Sequence, residues 1–275
     1  MALAITLTAF LVLSAFAGCS TDSGASLSVV TSTSMLESIV ERIGGDLIDV
    51  VNIIPPAQCP GHFDVGVGDV MKLAEADLFF MHGWQGEKFT QELIDSADNP
   101  DLVVVVINIE GNWMTPPVQL QATDEILEEL CEVDSDNCSA YEEAAAAYKS
   151  VVQAKSDEIV ARIAGADLPS VNAMCADMQA GFVSWLGLNL VQTYGRPDSF
   201  TPQVLMDLVD TGREGNVTLV IDNLQSGKDA GAALADDLDC SRVILTNFPG
   251  GFDDTETWEK AIDYNVDLIL QAVAD

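Results

Sequence analysis

Midway along the chain, SAYEEAAAAYKSVVQAKSDEIVARIAG runs from Ser139 to Gly165 with no proline and no glycine before its last residue. Tyr141, Ala145, Tyr148, Val152, Ile159 and Ile163 recur at helical spacing and mark one apolar face. Ser139 with Glu142 has the form of a capping box, and Gly165 is a natural stop. The spacing predicts one helix over Ser139–Ala164, about 39 Å long at 1.5 Å per residue. A rod of that length joining two lobes would resist wide hinge opening.

The flanking sequence repeats one scheme on both sides. Before the rod, SLSVVTST, LIDVVNIIP, LFFMHG and LVVVVINI read as strands. SMLESIVERIGGD, VGDVMKLAEAD, EKFTQELIDSA and VQLQATDEILEEL read as the helices between and after them. After it, SVNAM, LNLVQTYG, VTLVIDN and RVILTNF alternate with QAGFVSWLG, TPQVLMDLVDTG, DAGAALADDL and TWEKAIDYNVDLILQAVA. Apolar strands alternating with helices indicate a parallel sheet covered on both faces. The expected fold is therefore α/β, with two lobes, each holding a mostly parallel four-stranded sheet, joined by one long rigid helix. The corresponding division is a signal segment over 1–19, a linker over 20–27, lobes over 28–138 and 167–275, and the connecting helix over 139–166.

The 275 residues include 44 acidic and 11 basic side chains, for a formal charge of −33. Such a surface repels phosphate backbones and anionic headgroups, which argues against nucleic acid as a partner. It suits a salty medium, where screening weakens self-repulsion, and it also attracts cations. The opening MALAITLTAFLVLSAFAGCSTDSG is an apolar run ending in small and polar residues, a targeting segment outside the fold. Ala17-Gly18-Cys19 resembles a lipobox, whose cysteine is lipidated. Phe16 stands where leucine is usual and no Lys or Arg precedes the run, so the true start is left open, as is an uncleaved anchor. Either way the folded part is expected to be extracytoplasmic and membrane-tethered. Export permits disulfides; Cys131 and Cys138 bracket a short loop, leaving Cys59, Cys175 and Cys240, an odd number.

Ligands of parallel sheets sit beyond the carboxyl ends of the strands. In the first half those positions hold Ser32-Thr33-Ser34, Cys59 and His62, His82 and Trp84, and Asn112-Trp113-Met114. In the second they hold Met174 and Cys175 followed by Met178 and Gln179, then Tyr194 and Arg196, Asp222-Asn223 with Gln225, and Asn247. Both of the chain's histidines are among them. Cys59-Pro-Gly-His62 reads as two metal ligands, thiolate and imidazole, or as a stiff turn with a buried cysteine. A Cys–His catalytic pair would need an orienting acid and an oxyanion hole. With no nucleophile elbow and no phosphate-cradling glycine loop in the sequence, the expectation is a binding protein, not an enzyme.

The words VVTSTSMLESIVERIGGDLIDVVNIIPP, HFDVGVGDVMKLAEADLFFMHG, NWMTP and AIDYNVDLI, in that order, resemble the zinc/manganese-type solute-binding lipoproteins of ABC importers, the cluster A receptors. The resemblance runs from about Ser28 to the C-terminus. It implies a receptor with two α/β lobes on a rigid helix, metal between the lobes, and a permease with its ATPase as partners. Of the family's four metal ligands, the first histidine matches His62. The second falls at Gly111, beside Asn112; the third at Met178 or Gln179; the fourth at Asn247. CPGH and DNLQSG mark a variant subfamily. A replacement set of Cys59, His62, His82 and Met178 would be soft, favouring zinc, copper(I) or another late transition metal over manganese. Zinc is the expected cargo. Asp222, Asn223, Gln225 and Asn247 would orient the ligands or hold a metal complex directly. With Trp84, Trp113 and Met114 near the mouth, a chelate or an organic solute is the alternative.

Overall fold

The computed structural model describes residues 26–83 and 90–274. The targeting segment with Cys19, and Trp84, lie outside the described residues.

The first lobe runs β1 (Leu27–Thr33), α1 (Ser34–Gly44), β2 (Ile48–Ile54), α2 (Val67–Ala74), β3 (Leu78–His82), α3 (Thr90–Ala97), β4 (Val103–Ile107) and α4 (Pro116–Val133). Thr33 ends β1 and caps α1, its hydroxyl accepting from Leu36 N at 3.4 Å. The helix stops at Gly45, whose φ of +51° is a conformation that disfavours a side chain. The long helix α5 spans Cys138–Ile163. The second lobe continues with β5 (Asn172–Ala176), α6 (Ala180–Leu186), β6 (Asn189–Tyr194), α7 (Pro202–Glu214), β7 (Leu219–Asn223), α8 (Leu224–Gly227), α9 (Ala232–Leu238), β8 (Ser241–Leu245) and α10 (Trp258–Ala274).

The two sheets share one topology. Their strand orders are β2-β1-β3-β4 and β6-β5-β7-β8, with every described pairing parallel. Chain direction across each sheet therefore reverses between the first and third strands, β1 and β3 in one lobe and β5 and β7 in the other. Open α/β sheets bind ligands at such switch points. The strand β4 departs from the expected cover on both faces: Val103, Val104 and Val106 are exposed, because β4 is the sheet's edge.

The expected capping box at Ser139 is not formed. The helix begins one residue earlier, at Cys138, with Asn137 as a cap whose side chain makes no capping bond. Cys138 is bridged to Cys131 near the end of α4, which places it in the first turn. Asn137 instead donates to Asp134 Oδ2 at 2.8 Å.

One contiguous core joins the lobes. It takes Leu36 and Ile39 from α1, Ile126 from α4, Tyr141 and Tyr148 from α5, Phe182 from α6, and Trp258 from α10. Charged pairs reinforce it. Arg42 of α1 meets Glu259 of α10 at 2.9 Å, and Lys155 and Arg162 of α5 each reach Asp263 of α10 at 2.8 Å. The rod is thus packed against both α1 and α10.

Candidate functional site

A cavity of about 770 Å³ opens between the carboxyl ends of the two sheets. From the first lobe its wall takes the Cys59–His62 turn, Gly83, and Gly111 to Trp113. From the second it takes Met178, Arg196, Asn223, Gln225, Asn247 and Phe248. Pro60 opens a single turn of 3-10 helix over Pro60–His62, closed by a 3.0 Å bond from His62 N to Cys59 O. That turn sets the half-buried Cys59 and the exposed His62 along one stretch of wall. Cys59 is a free thiol. Met178, half exposed, faces the same cavity from the other lobe.

The amides of the wall are already bonded, some across the crevice and some within the second lobe. Asn112 Nδ2 donates to Met178 O at 2.8 Å and to Asn247 Oδ1 at 3.1 Å, and Asn247 Nδ2 donates to Met178 O at 3.1 Å. Gln225 Nε2 donates to Pro56 O at 2.8 Å and accepts at Oε1 from Asn247 N at 3.0 Å. Asn223 caps α8, accepting from Ser226 N at 2.7 Å. Ser34 Oγ donates to Pro249 O at 2.8 Å, a further strut between lobes. These groups brace the crevice and leave Cys59, His62, Met178 and Arg196 as the wall's side chains best able to meet a ligand.

Three residues expected at the site stand elsewhere. His82 is fully buried and does not line the cavity; its Nε2 lies 2.9 Å from Thr33 Oγ1, and its ring packs edge-on against Trp113 at 4.4 Å. Burial pushes its pKa down to about 3, so it is held neutral. Asp222 is also fully buried, spent on Arg242 at 2.7 Å, the Tyr194 hydroxyl at 2.9 Å and Gly231 N at 2.7 Å. Gln179 is buried next to Met178 in sequence and is not part of the wall; neither amide atom has a hydrogen-bonding partner among the described residues. Trp113 lines the cavity with only a sliver of surface, and Met114 is wholly buried.

Arg196 was assigned no role from sequence. Its signals were its place beyond β6 and the scarcity of basic residues in the chain. The guanidinium lies against Gly61: a Cβ on that glycine would come within 3.0 Å of Arg196 Nη1. A side chain at residue 61 would therefore displace it.

Among the described residues no group of three or more His, Cys, Asp or Glu side chains is placed to hold a metal ion. The side chains lining the cavity include, among the described residues, Cys59, His62 and Met178 and no carboxylate.

The family model for ZnuA, "Zinc-uptake complex component A periplasmic", matches residues 29–272. The chain is 26% identical over 144 residues to the manganese-binding lipoprotein MntA of Halalkalibacterium halodurans, covering 48% of each chain. It is 31% identical over 152 residues to the manganese ABC transporter substrate-binding lipoprotein scaA of Streptococcus gordonii, covering 47% of this chain and 49% of the other. The chain spans about half the length of these curated relatives in the matches. A crystal structure of ZnuA superposes with a TM-score of 0.75 at 20% identity, over 90% of this chain and 99% of that one, a likeness of fold. Since the family match runs through both lobes and the helix between them, the chain belongs to the ZnuA family.

Proposed function

We propose that the protein is the extracytoplasmic solute-binding receptor of an ABC importer. It captures a transition-metal ion, zinc first, between its lobes and delivers it to the permease and its ATPase. The observation that carries this reading is a crevice at two sheet switch points that sets Cys59 and His62 of one lobe opposite Met178 of the other, in a chain of a zinc-uptake family. Thiolate and imidazole are zinc ligands, and a thioether turns the set toward softer ions. The two relatives above are named for manganese, a harder ion that favours oxygen donors. Among the described residues the wall offers no carboxylate, which supports zinc or a softer metal. Because a metal takes the thiolate and the neutral imidazole, protons compete with it and affinity falls on acidification.

The lipobox-like Cys19 and the relatives' description as lipoproteins support tethering to the outer face of a membrane through a lipid. Among the described residues, no helix is long and apolar enough to cross a membrane. The role is read as capture without catalysis. Calorimetric titration of purified protein with zinc tests it: His62→Ala is expected to weaken binding roughly tenfold or more. Unchanged affinity and stoichiometry in the variant would remove His62 as a ligand.

A further inference from the structure

Resting on that reading of the crevice, we infer that the metal arrives as an anionic complex. The cargo is then a zinc ion already chelated by a small carboxylate-bearing ligand, with Arg196 as counter-charge to a carboxylate. Every other described Lys and Arg stands within 4.0 Å of an acidic side chain. Arg196 alone among the described residues does not, in a chain with four acids for each base. The fold thus leaves this guanidinium without an acidic partner from the described residues. It stands at the cavity wall, against Gly61, the residue before His62.

A bare divalent ion suits this wall poorly. It would sit in the field of a fixed positive charge, with at most Cys59, His62 and Met178 to complete its shell, while the neighbouring amides are bonded to one another. The cavity of about 770 Å³ is also far larger than an ion; at ~30 Å³ per water it would hold roughly 25 waters. It lies within the range of small-molecule sites, about 300–1,000 Å³. An anionic chelate answers all three mismatches. Its carboxylate takes the planar fork of Arg196, its donors complete the shell, and its bulk fills the space.

The full protein, Arg196→Gln and His62→Ala would each be titrated with zinc sulfate, with preformed zinc–nitrilotriacetate, and with nitrilotriacetate alone. Arg196→Gln is expected to weaken binding of the zinc complex about tenfold or more, the scale of a charge-assisted contact. It is expected to strengthen binding of bare zinc, because a repulsive charge is gone. His62→Ala is expected to weaken both. If Arg196→Gln leaves the complex within twofold of wild type, or wild type takes bare zinc and refuses the complex, the anionic-chelate inference is overturned while metal capture stands. Indifference of both metal forms to His62→Ala removes His62 as a ligand, and failure of the wild type to bind zinc in either form overturns metal capture itself. Nitrilotriacetate alone binding as tightly as its zinc complex overturns both, and makes the cargo an organic anion.

Discussion

Two adjacent residues at the end of β7 do opposite work. Asn223 lines the crevice and caps α8, while Asp222 points to the other face of the sheet and is buried with Tyr194 and Arg242. Successive side chains on a strand alternate between faces. His82, last residue of β3, is likewise turned into the interior, where it meets Thr33 and Trp113. Its pKa of about 3 lies far below the ordinary 6.5, owing to burial. The folded state therefore binds fewer protons than the unfolded one between those values. Stability is complete above about pH 6.5 and falls as the pH drops toward 3. At pH 5 this group is expected to cost roughly 2 kcal/mol. Urea denaturation at pH 7 and pH 5 checks this: wild type should lose about that much more than His82→Gln. Equal losses would show that His82 titrates as an ordinary histidine. The strand-end rule reached the crevice from sequence and found Cys59, His62, Asn112, Met178, Asn223, Gln225 and Asn247 on its wall. It failed for Asp222, Gln179 and His82 because it locates strand ends to within a residue or two, and side-chain direction there turns on single-residue parity. Arg196 carries no metal-site signal in sequence, because a cation is not a metal ligand.

At the scale of elements, the rod α5 was legible because its apolar residues kept helical spacing over seven turns, and Tyr141, Ala145, Tyr148, Val152 and Ile159 are indeed buried. Its first turn was not legible, since the cap that forms depends on the Cys131–Cys138 bridge, a contact between two elements. That bridge closes a short loop between α4 and α5, which holds the start of the rod against the first lobe. A loop of this length is expected to contribute roughly 2 kcal/mol, mainly by restricting the unfolded chain. Replacing both cysteines by serine should lower unfolding stability by about that amount, measured by urea denaturation under oxidising conditions. A change near zero would mean that helix packing alone sets the α4–α5 turn. The exposed valines of β4 mark another limit of sequence: an all-apolar strand reads as central, yet its place in the sheet depends on pairing partners far along the chain.

The whole molecule is one braced body. Its core runs from one lobe through α5 into the other, and hydrogen bonds from Ser34, Asn112 and Gln225 tie the crevice from both sides. From this bracing we expect capture to proceed with little rotation of one lobe against the other. The formal charge of −33 surrounds this body with a field that draws cations toward it and, at low salt, strains it by self-repulsion. Within that field the crevice is set apart by its content among the described residues: soft donors, bonded amides and one guanidinium, with no carboxylate on the wall. The central claim is that metal is held there by donors of this wall. X-ray absorption at the zinc edge of the loaded protein tests it most directly. We expect a shell containing nitrogen or oxygen at about 2.0–2.1 Å and sulfur at about 2.3 Å, with the sulfur lost or reduced in Cys59→Ser. A shell of nitrogen and oxygen alone, unchanged by Cys59→Ser and His62→Ala, would contradict it.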